Sequence, residues 1–422
     1  MTTARRTFHS LRYRNYRLFF GGQIVSQTGS WMQRIALGWY VLQLTHSPFD
    51  VGVMAFAQFM PYMAFGLFAG VLTDRLDARR TVLGTQAAQL VAAAALAWIA
   101  LGGFAEPWML YTIAFVNGTV LVLDVPSRQQ LTYRMVGRED LPNAIALNST
   151  LFNASRIFGP AVAGVVLVAG AGICFLVNAI SFGAVLLGLL AMRVSEFFPL
   201  EEFERPSILA GTREGLAWVR GQRRMVVLLG LTFVLSTFCF NFNVTLPVLA
   251  AVTLHGHSYV YGLLSAVFGA GALVGALAAA ALGRASTKVL LIGGMVFTGG
   301  ELLLAPVHSA VLAGILLFLI GAGFTAWSAN SNASMQLAAP DHLRGRIIGL
   351  YFYAFNGTGA VAGIMTGWLC DAGGTELAFV FSGIVGLVAT TATALTLAGP
   401  GRRAALFAPV NGSRSLRLRE PG

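Results

Sequence analysis

Residues 66–80 read Gly66-Leu-Phe-Ala-Gly70-Val-Leu-Thr-Asp74-Arg75-Leu-Asp77-Ala-Arg79-Arg80. Two glycines four residues apart close an apolar run, a carboxylate ends it, and arginines follow. Small residues at i and i+4 share one helix face and let helices meet closely where lipid supplies no hydrophobic drive. Arginines just past such a run mark the cytoplasmic end of a membrane helix. Upstream the apolar run reaches back to 51, and a second starts at 81. The stretch therefore reads as a tight cytoplasmic turn between two membrane spans.

Working outward, apolar runs long enough to cross a bilayer occupy 18–44, 51–73, 81–102, 107–126, 142–168, 171–193, 225–253, 258–283, 288–307, 309–335, 345–369 and 375–399, which makes twelve spans. The composition agrees. Charged residues make up 11% of the 422 and hydrophobic ones 56%, whereas soluble chains carry about 25% charged residues. The strict alternation of a membrane β-barrel strand is absent.

The charges test the topology. With the N-terminus in the cytoplasm, 26 of the 28 basic residues fall in cytoplasmic segments, and the outer loops hold none. The other two, Arg34 and Arg156, lie within spans. Arg5-Arg6-Thr7-Phe8 then reads as a cytoplasmic tail and not as an export signal, and both termini face the cytoplasm. The expected organisation is an N-terminal six-helix bundle over 1–193, a cytoplasmic linker over 194–224, a C-terminal six-helix bundle over 225–399 and a basic cytoplasmic tail over 400–422.

The halves repeat. Gly66-x-x-x-Gly70 before Arg79 recurs as Gly271-x-x-x-Gly275 before Arg284, and Ala161-Val-Ala-Gly164 recurs as Ala360-Val-Ala-Gly363. Gln130-Leu131 recurs as Gln336-Leu337. A repeated six-helix unit places a binding site between the halves, near the midplane.

Asp74, Arg75, Arg79 and Arg80 resemble, in spacing, the loop signature of the major facilitator superfamily, with Asp77 in place of a signature glycine. Gly159-Pro160 followed by Gly164 resembles the fifth-helix motif of its antiporters. Trp31-Met-Gln-Arg34, Asp124-Val-Pro126 and Leu141-Pro-Asn143 through Asn148 resemble its enterobactin-exporter-like branch. The resemblance implies an all-α integral membrane fold of two pseudo-symmetric six-helix bundles in the cytoplasmic membrane of a bacterium. It implies export of a siderophore-like, anionic or drug-like small molecule by alternating access, with proton antiport. An importer of a small anionic metabolite on the same fold is the alternative; a transport-dead sensor and a membrane enzyme are further ones.

Candidate roles follow. Asp74, Arg75, Arg79 and Arg80 can form a cytoplasmic gate of charge-assisted bonds, with Asp124 expected to reach Arg75 or Arg79. Gly66, Gly70, Gly159, Pro160 and Gly164 are helix-packing positions. Arg156 lies about 21 Å along its helix from Pro142, near mid-membrane. There, like Arg34, it needs a partner or a wet cavity. Gln23, Gln27, Trp31, Gln58, Asn117, Asn153, Asn241, Asn243, Trp327, Asn330, Tyr351, Tyr353 and Asn356 lie on spans that line the cavity in that superfamily, and are the expected substrate contacts. Asp124 and Glu301 are the proton-coupling candidates, although Glu301 reads more readily as a carboxylate reaching the outer interface.

Several classes fall away. The only lysine, Lys288, follows no phosphate-binding loop, so an ATP-driven pump is excluded. No paired acids or histidine cluster supports an enzyme, a metal or a cofactor. The basic clusters are topology signals, so nucleic acid is not a partner. Cys174, Cys239 and Cys370 read as packing residues. The expected partners are lipid, protons and a small molecule, and the expected state is a monomer.

Overall fold

In a bilayer a backbone can satisfy its own polar groups by coiling into helices, and most of the described residues do so. The computed structural model describes residues 8–199, 208–281, 285–340 and 343–397, and no strand occurs among them. Arg5, Arg6, Glu201, Glu202, Glu204, Arg205, Arg284, His342, the tail 400–422 and the side chain of Asp74 lie outside the described residues.

The helices are α1 Arg14–Thr45, α2 Pro48–Asp74, α3 Ala78–Gly102, α4 Pro107–Val166, α5 Ala171–Leu190, α6 Ile208–Gly221, α7 Arg223–Val234, α8 Phe242–Val248, α9 Ser258–Ala281, α10 Thr287–Leu304, α11 Ala310–Ala338, α12 Arg344–Asn356 and α13 Gly359–Leu397. Among the described residues, eight helical stretches are long and apolar enough to cross a membrane. Their outward faces carry bare apolar side chains such as Val165, Val168 and Val311, each about three-quarters exposed, as a lipid-facing surface requires.

The residues explain the boundaries. Ser47 accepts from the Asp50 N–H at 3.2 Å, with Pro48 in the first turn, and starts α2. Asp77 accepts from the Arg80 N–H at 2.9 Å and starts α3. Both are side-chain N-caps. Two long helices bend where only glycine fits easily: Gly137 in α4 (φ 71°) and Gly374 in α13 (φ 68°). The polar stretch 127–141, expected as a loop, is instead helical on both sides of Gly137. The run 225–253, expected as one span, is broken: a π-helical turn at Leu235–Cys239 leads into Phe240 and Asn241, and a second follows α8 at Leu249–Thr253.

Packing divides the chain. Helices α1 to α5 pack on one another, as do α7 to α13, and the two sets meet where α2 faces α13 and α4 faces α9. The repeated Ala-Val-Ala-Gly motif sits at both seams. A Cβ on Gly262 would lie 2.5 Å from the Cα of Gly164, and one on Gly52 would lie 2.6 Å from the Gly363 carbonyl oxygen. Such approaches are open only to residues without a side chain. Gly159 lies against Trp31 and the Thr28 carbonyl of α1. Gly66 does not make the helix contact expected of it, because its nearest neighbour is Tyr62 of its own helix. The approach of α4 to α2 comes two turns earlier, where Gly118 lies against the backbone of Gln58. The environment of Gly70 lies outside the described residues.

Polar latches hold the ends. Before α1, His9, Arg12 and Tyr13 all donate to the Asp140 carboxylate, at 2.9, 2.6 and 2.8 Å. In the segment leading to α7, Glu214 on α6 pairs with Arg346 on α12. In the α2–α3 turn, Asp77 pairs with Arg134 at 3.0 Å. Burial raises the Asp77 carboxyl, but the Arg80 N–H and the Arg134 guanidinium outweigh it and leave the group below its ordinary value.

Two measurements follow. Gly262→Leu overpacks the seam and lowers unfolding stability in detergent by about 1–3 kcal/mol, whereas Gly183→Leu, with open space at its Cβ position, leaves it unchanged. Equal melting of the two variants would contradict the seam. Asp77→Ala costs about 1 kcal/mol through the lost cap, and Asp77→Asn costs less. Because the folded carboxyl titrates lower than the unfolded one, the Asp77 contribution is present near neutrality and lost as pH falls below about 4. The wild-type and Asp77→Asn melting curves therefore converge in acid.

Candidate functional site

Arg156, on the second limb of α4, places its guanidinium on the seam between the halves. The guanidinium carbon lies 5.8 Å from the Trp31 ring of α1, 5.6 Å from Phe268 of α9 and 5.7 Å from Phe324 of α11. Arg34 lies over the other part of the same cluster, 4.5 Å from Trp31. Among the described residues no carboxylate pairs with either arginine, and both guanidiniums lie over ring faces. Backbone approach brings Arg156 here, since its carbonyl oxygen would be 2.7 Å from a Cβ on Gly269 of α9.

The rings continue into the second half. Phe240, in the break before α8, stacks on Phe324 at 4.2 Å, and Phe355 joins them at 6.0 Å from Phe240. Sequence reading passed over Phe240, Phe268, Phe324 and Phe355.

The other expected contacts divide. Gln27 donates to the Gln23 side-chain oxygen at 3.3 Å. Gln58, Asn117 and Asn243 are half-buried. Asn153 and Asn356 donate to carbonyls of their own helices. Tyr353 donates to the Met63 carbonyl at 3.0 Å, which ties α12 to α2. Tyr351 is buried and donates to the Ser328 carbonyl at 3.0 Å. Three of the expected substrate contacts are buried among other partners. Trp327 is wholly buried, stacked between Phe297 and Phe355. Asn330 accepts from the Ser286 N–H at 2.9 Å and so fixes the entry to α10. Asn241 is buried toward α10 and α13, beside Glu301.

The expected bond between Asp124 and Arg75 or Arg79 is not made. Asp124 is fully buried; it pairs with Arg128 one turn on, and accepts from Thr85 at 2.5 Å and Gln86 at 3.0 Å on α3. Arg128 in turn donates to Gln23 of α1 at 2.6 Å. The side chain of Asp124 points into α3, so it joins three helices of one half. Arg79 donates to the Leu189 carbonyl at 2.9 Å and closes the C-terminal end of α5, where orphan carbonyls want a cation. Arg75 and Arg80 are exposed.

Glu301 does not reach the outer interface as expected. It is 1% exposed, and its Oε2 has no hydrogen-bond partner. The three cysteines are free and buried. No cluster of three or more His, Cys, Asp or Glu able to hold a metal occurs among the described residues. A groove of about 400 Å³ between α9 and α11 is lined only by aliphatic and aromatic side chains such as Leu263, Val311 and Phe318; it is remote in chemistry from the arginines and faces lipid.

Comparisons with known proteins bear on the family and the fold. A family described as transmembrane secretion effector matches residues 5–411. The staphyloferrin A transporter of Staphylococcus aureus is 25% identical over 79% of this chain and 84% of its own. The multidrug efflux pump Tap of Mycolicibacterium fortuitum is 24% identical over 85% and 89%. Macrolide efflux protein A of Streptococcus pyogenes is 24% identical over 68% and 73%. Among solved structures, the nucleoside transporter NupG superposes with a TM-score of 0.72 at 11% identity, covering 90% of this chain and 98% of that one. These relatives are membrane transporters and not enzymes. The chain is a multi-pass membrane protein and belongs to the transmembrane secretion effector family of major facilitator transporters.

Proposed function

We propose that the protein is a secondary active exporter. It moves a small anionic, siderophore-like or drug-like molecule out across a bacterial cytoplasmic membrane by alternating access, driven by proton antiport. The spans are α1, α2, α3, the two limbs of α4, α5, the broken α7–α8 unit, α9, α10, α11, α12 with the first limb of α13, and the second limb of α13. These twelve form two six-helix bundles in a monomer, with both termini in the cytoplasm. The positive-inside distribution of arginines supports that orientation. It puts the glycine seams Gly52/Gly363 and Gly164/Gly262 at the outer end, so the halves are closed outside.

The observation that carries the reading is the arginine pair around Trp31. A charge at mid-membrane costs about 2.5–3.5 kcal/mol even with snorkelling. Cation–π contact returns about 0.5–2 kcal/mol per well-placed ring, and the Arg156 distances are near the outer limit of that effect. Two guanidiniums on one indole also repel each other. The deficit is met by an anion that brings its own charge, and the surrounding rings favour one with flat or apolar parts. The named activities of the relatives, efflux of macrolides and other drugs and transport of a siderophore, support a small organic substrate and outward movement. Arg75, Arg79, Arg80 and Asp74 form the cytoplasmic turn that must rearrange when the bundles rock, and Asp124–Arg128 stiffens the bundle they belong to.

Small-molecule profiling of cells and spent medium, with and without overexpression, tests this. An anionic or drug-like compound is expected to move outward. Arg156→Gln, which removes a charge-assisted contact of about 1.5–3 kcal/mol, is expected to lower that flux about 10- to 100-fold. Accumulation inside the cells would reverse the direction, and unchanged flux without a pH gradient would remove proton antiport.

A further inference from the structure

Glu301 is an ionisable residue buried inside a membrane helix, and such residues are retained where they act. Its neighbours set its chemistry. It borders a cavity of about 10 Å³, room for one water, with Cys239, Asn241, Thr245, Thr366 and Ser382. The Cys239 thiol donates to the Ser382 carbonyl at 3.2 Å, and the Asn241 amide donates to the Thr237 carbonyl at 3.0 Å. Neither serves Glu301, and its Oε2 is unpartnered. Its helix packs on α11 and α13. No residue of α11 is charged. On α13 the titratable groups are buried Cys370 and exposed Asp371 and Glu376; on the broken α7–α8 unit they are Arg223, Arg224 and Cys239. None of these cations borders the cavity.

The cavity also adjoins two elements able to move. One is the break at the π-helical turn Leu235–Cys239, where Phe240 leaves the helix and stacks on Phe324 beside Arg156. The other is α13 at Thr366, which lies between Gly363 and Gly367, the two glycines against Gly52 of the other half.

We infer that Glu301 is the proton-carrying group of the C-terminal half. It holds a proton on Oε2 while the outer seam is closed and gives it to water when the α7–α8 break rearranges and wets the cavity. A carboxylate ionised in the closed arrangement would have no counter-charge bordering the cavity, the Ser382 hydroxyl beside it donates to the Phe379 carbonyl at 3.3 Å, and Oε2 would be left bare. Its loss and gain of one proton therefore bias the α13–α2 seam on one side and the Phe240 stack on the other. The inference rests on the reading of the chain as a proton-driven exporter, but uses residues remote from the arginine pair.

The experiment uses the full chain in lipid. Infrared titration follows the protonated-carboxyl band, and spin labels at exposed Glu139 and Lys288 report the distance between the halves. In the wild type the band titrates, and the distance distribution shifts between mildly acidic and mildly alkaline pH. Glu301→Gln is expected to lose both responses. If it keeps either one in full, the assignment fails. Should Glu301→Gln not fold, Thr366→Val and Ser382→Ala leave the carboxyl in place and must move the midpoint of the band; an unmoved midpoint overturns the proposal. A distance shift on exchanging choline for sodium at fixed pH would make this a sodium site and also overturn it. Arg156→Gln separates the two readings: it keeps the band and the shift while export falls.

Discussion

Contact between bare backbones holds the two halves together. Inside a bilayer, helix association gains little from burying apolar surface, because lipid is as apolar as a leucine side chain; close packing and hydrogen bonds drive it instead. Gly164 against Gly262 and Gly363 against Gly52 supply that closeness at equivalent places in the two repeats. Their spacing sets the angle at which α4 crosses α9. That crossing, with Gly269 against the Arg156 carbonyl, carries Arg156 to Phe268 and Phe324. Backbone contacts of this kind can part without breaking strong bonds, although side chains also cross between the halves, as where Tyr353 donates to the Met63 carbonyl.

The halves treat buried charge differently. In the first, Asp124 is satisfied by Arg128, Thr85 and Gln86, and Arg128 extends the network to Gln23. Breaking a buried pair by removing one partner is costly, so this network keeps α1, α3 and α4 together as one body. In the second, Glu301 has a free oxygen, and the adjoining α7–α8 unit has π turns and a break. Weakly bonded backbone beside an unsatisfied acid is an arrangement that can change state, whereas the Asp124 cluster is built to persist.

The sequence was legible where the physics is one-dimensional. A run of apolar residues reports a span whatever surrounds it, and a glycine repeat reports a close approach without naming the partner helix. Faces were harder to read. A membrane helix is apolar toward both lipid and protein, so the amphipathic stripe that orients a soluble helix is missing. Asn330, Asn241 and Trp327 sit at plausible positions along the chain, yet each is buried in a capping, acid-lined or packing environment. Phe240, Phe268, Phe324 and Phe355 were invisible for the same reason: among 30 phenylalanines, nothing local separates the ring that meets a guanidinium from one that meets lipid.

Composition, arginine placement and the internal repeat by themselves determined a helical membrane protein of two related halves, because burial in lipid and the positive-inside bias act on segments. Tertiary structure alone decided that Arg79 closes α5, that Asp124 belongs within one half, and that Glu301 is enclosed. Each of these depends on which neighbour a side chain meets across space. One turn of helix rotates a residue from lipid to core, and the linear order of residues does not record that rotation.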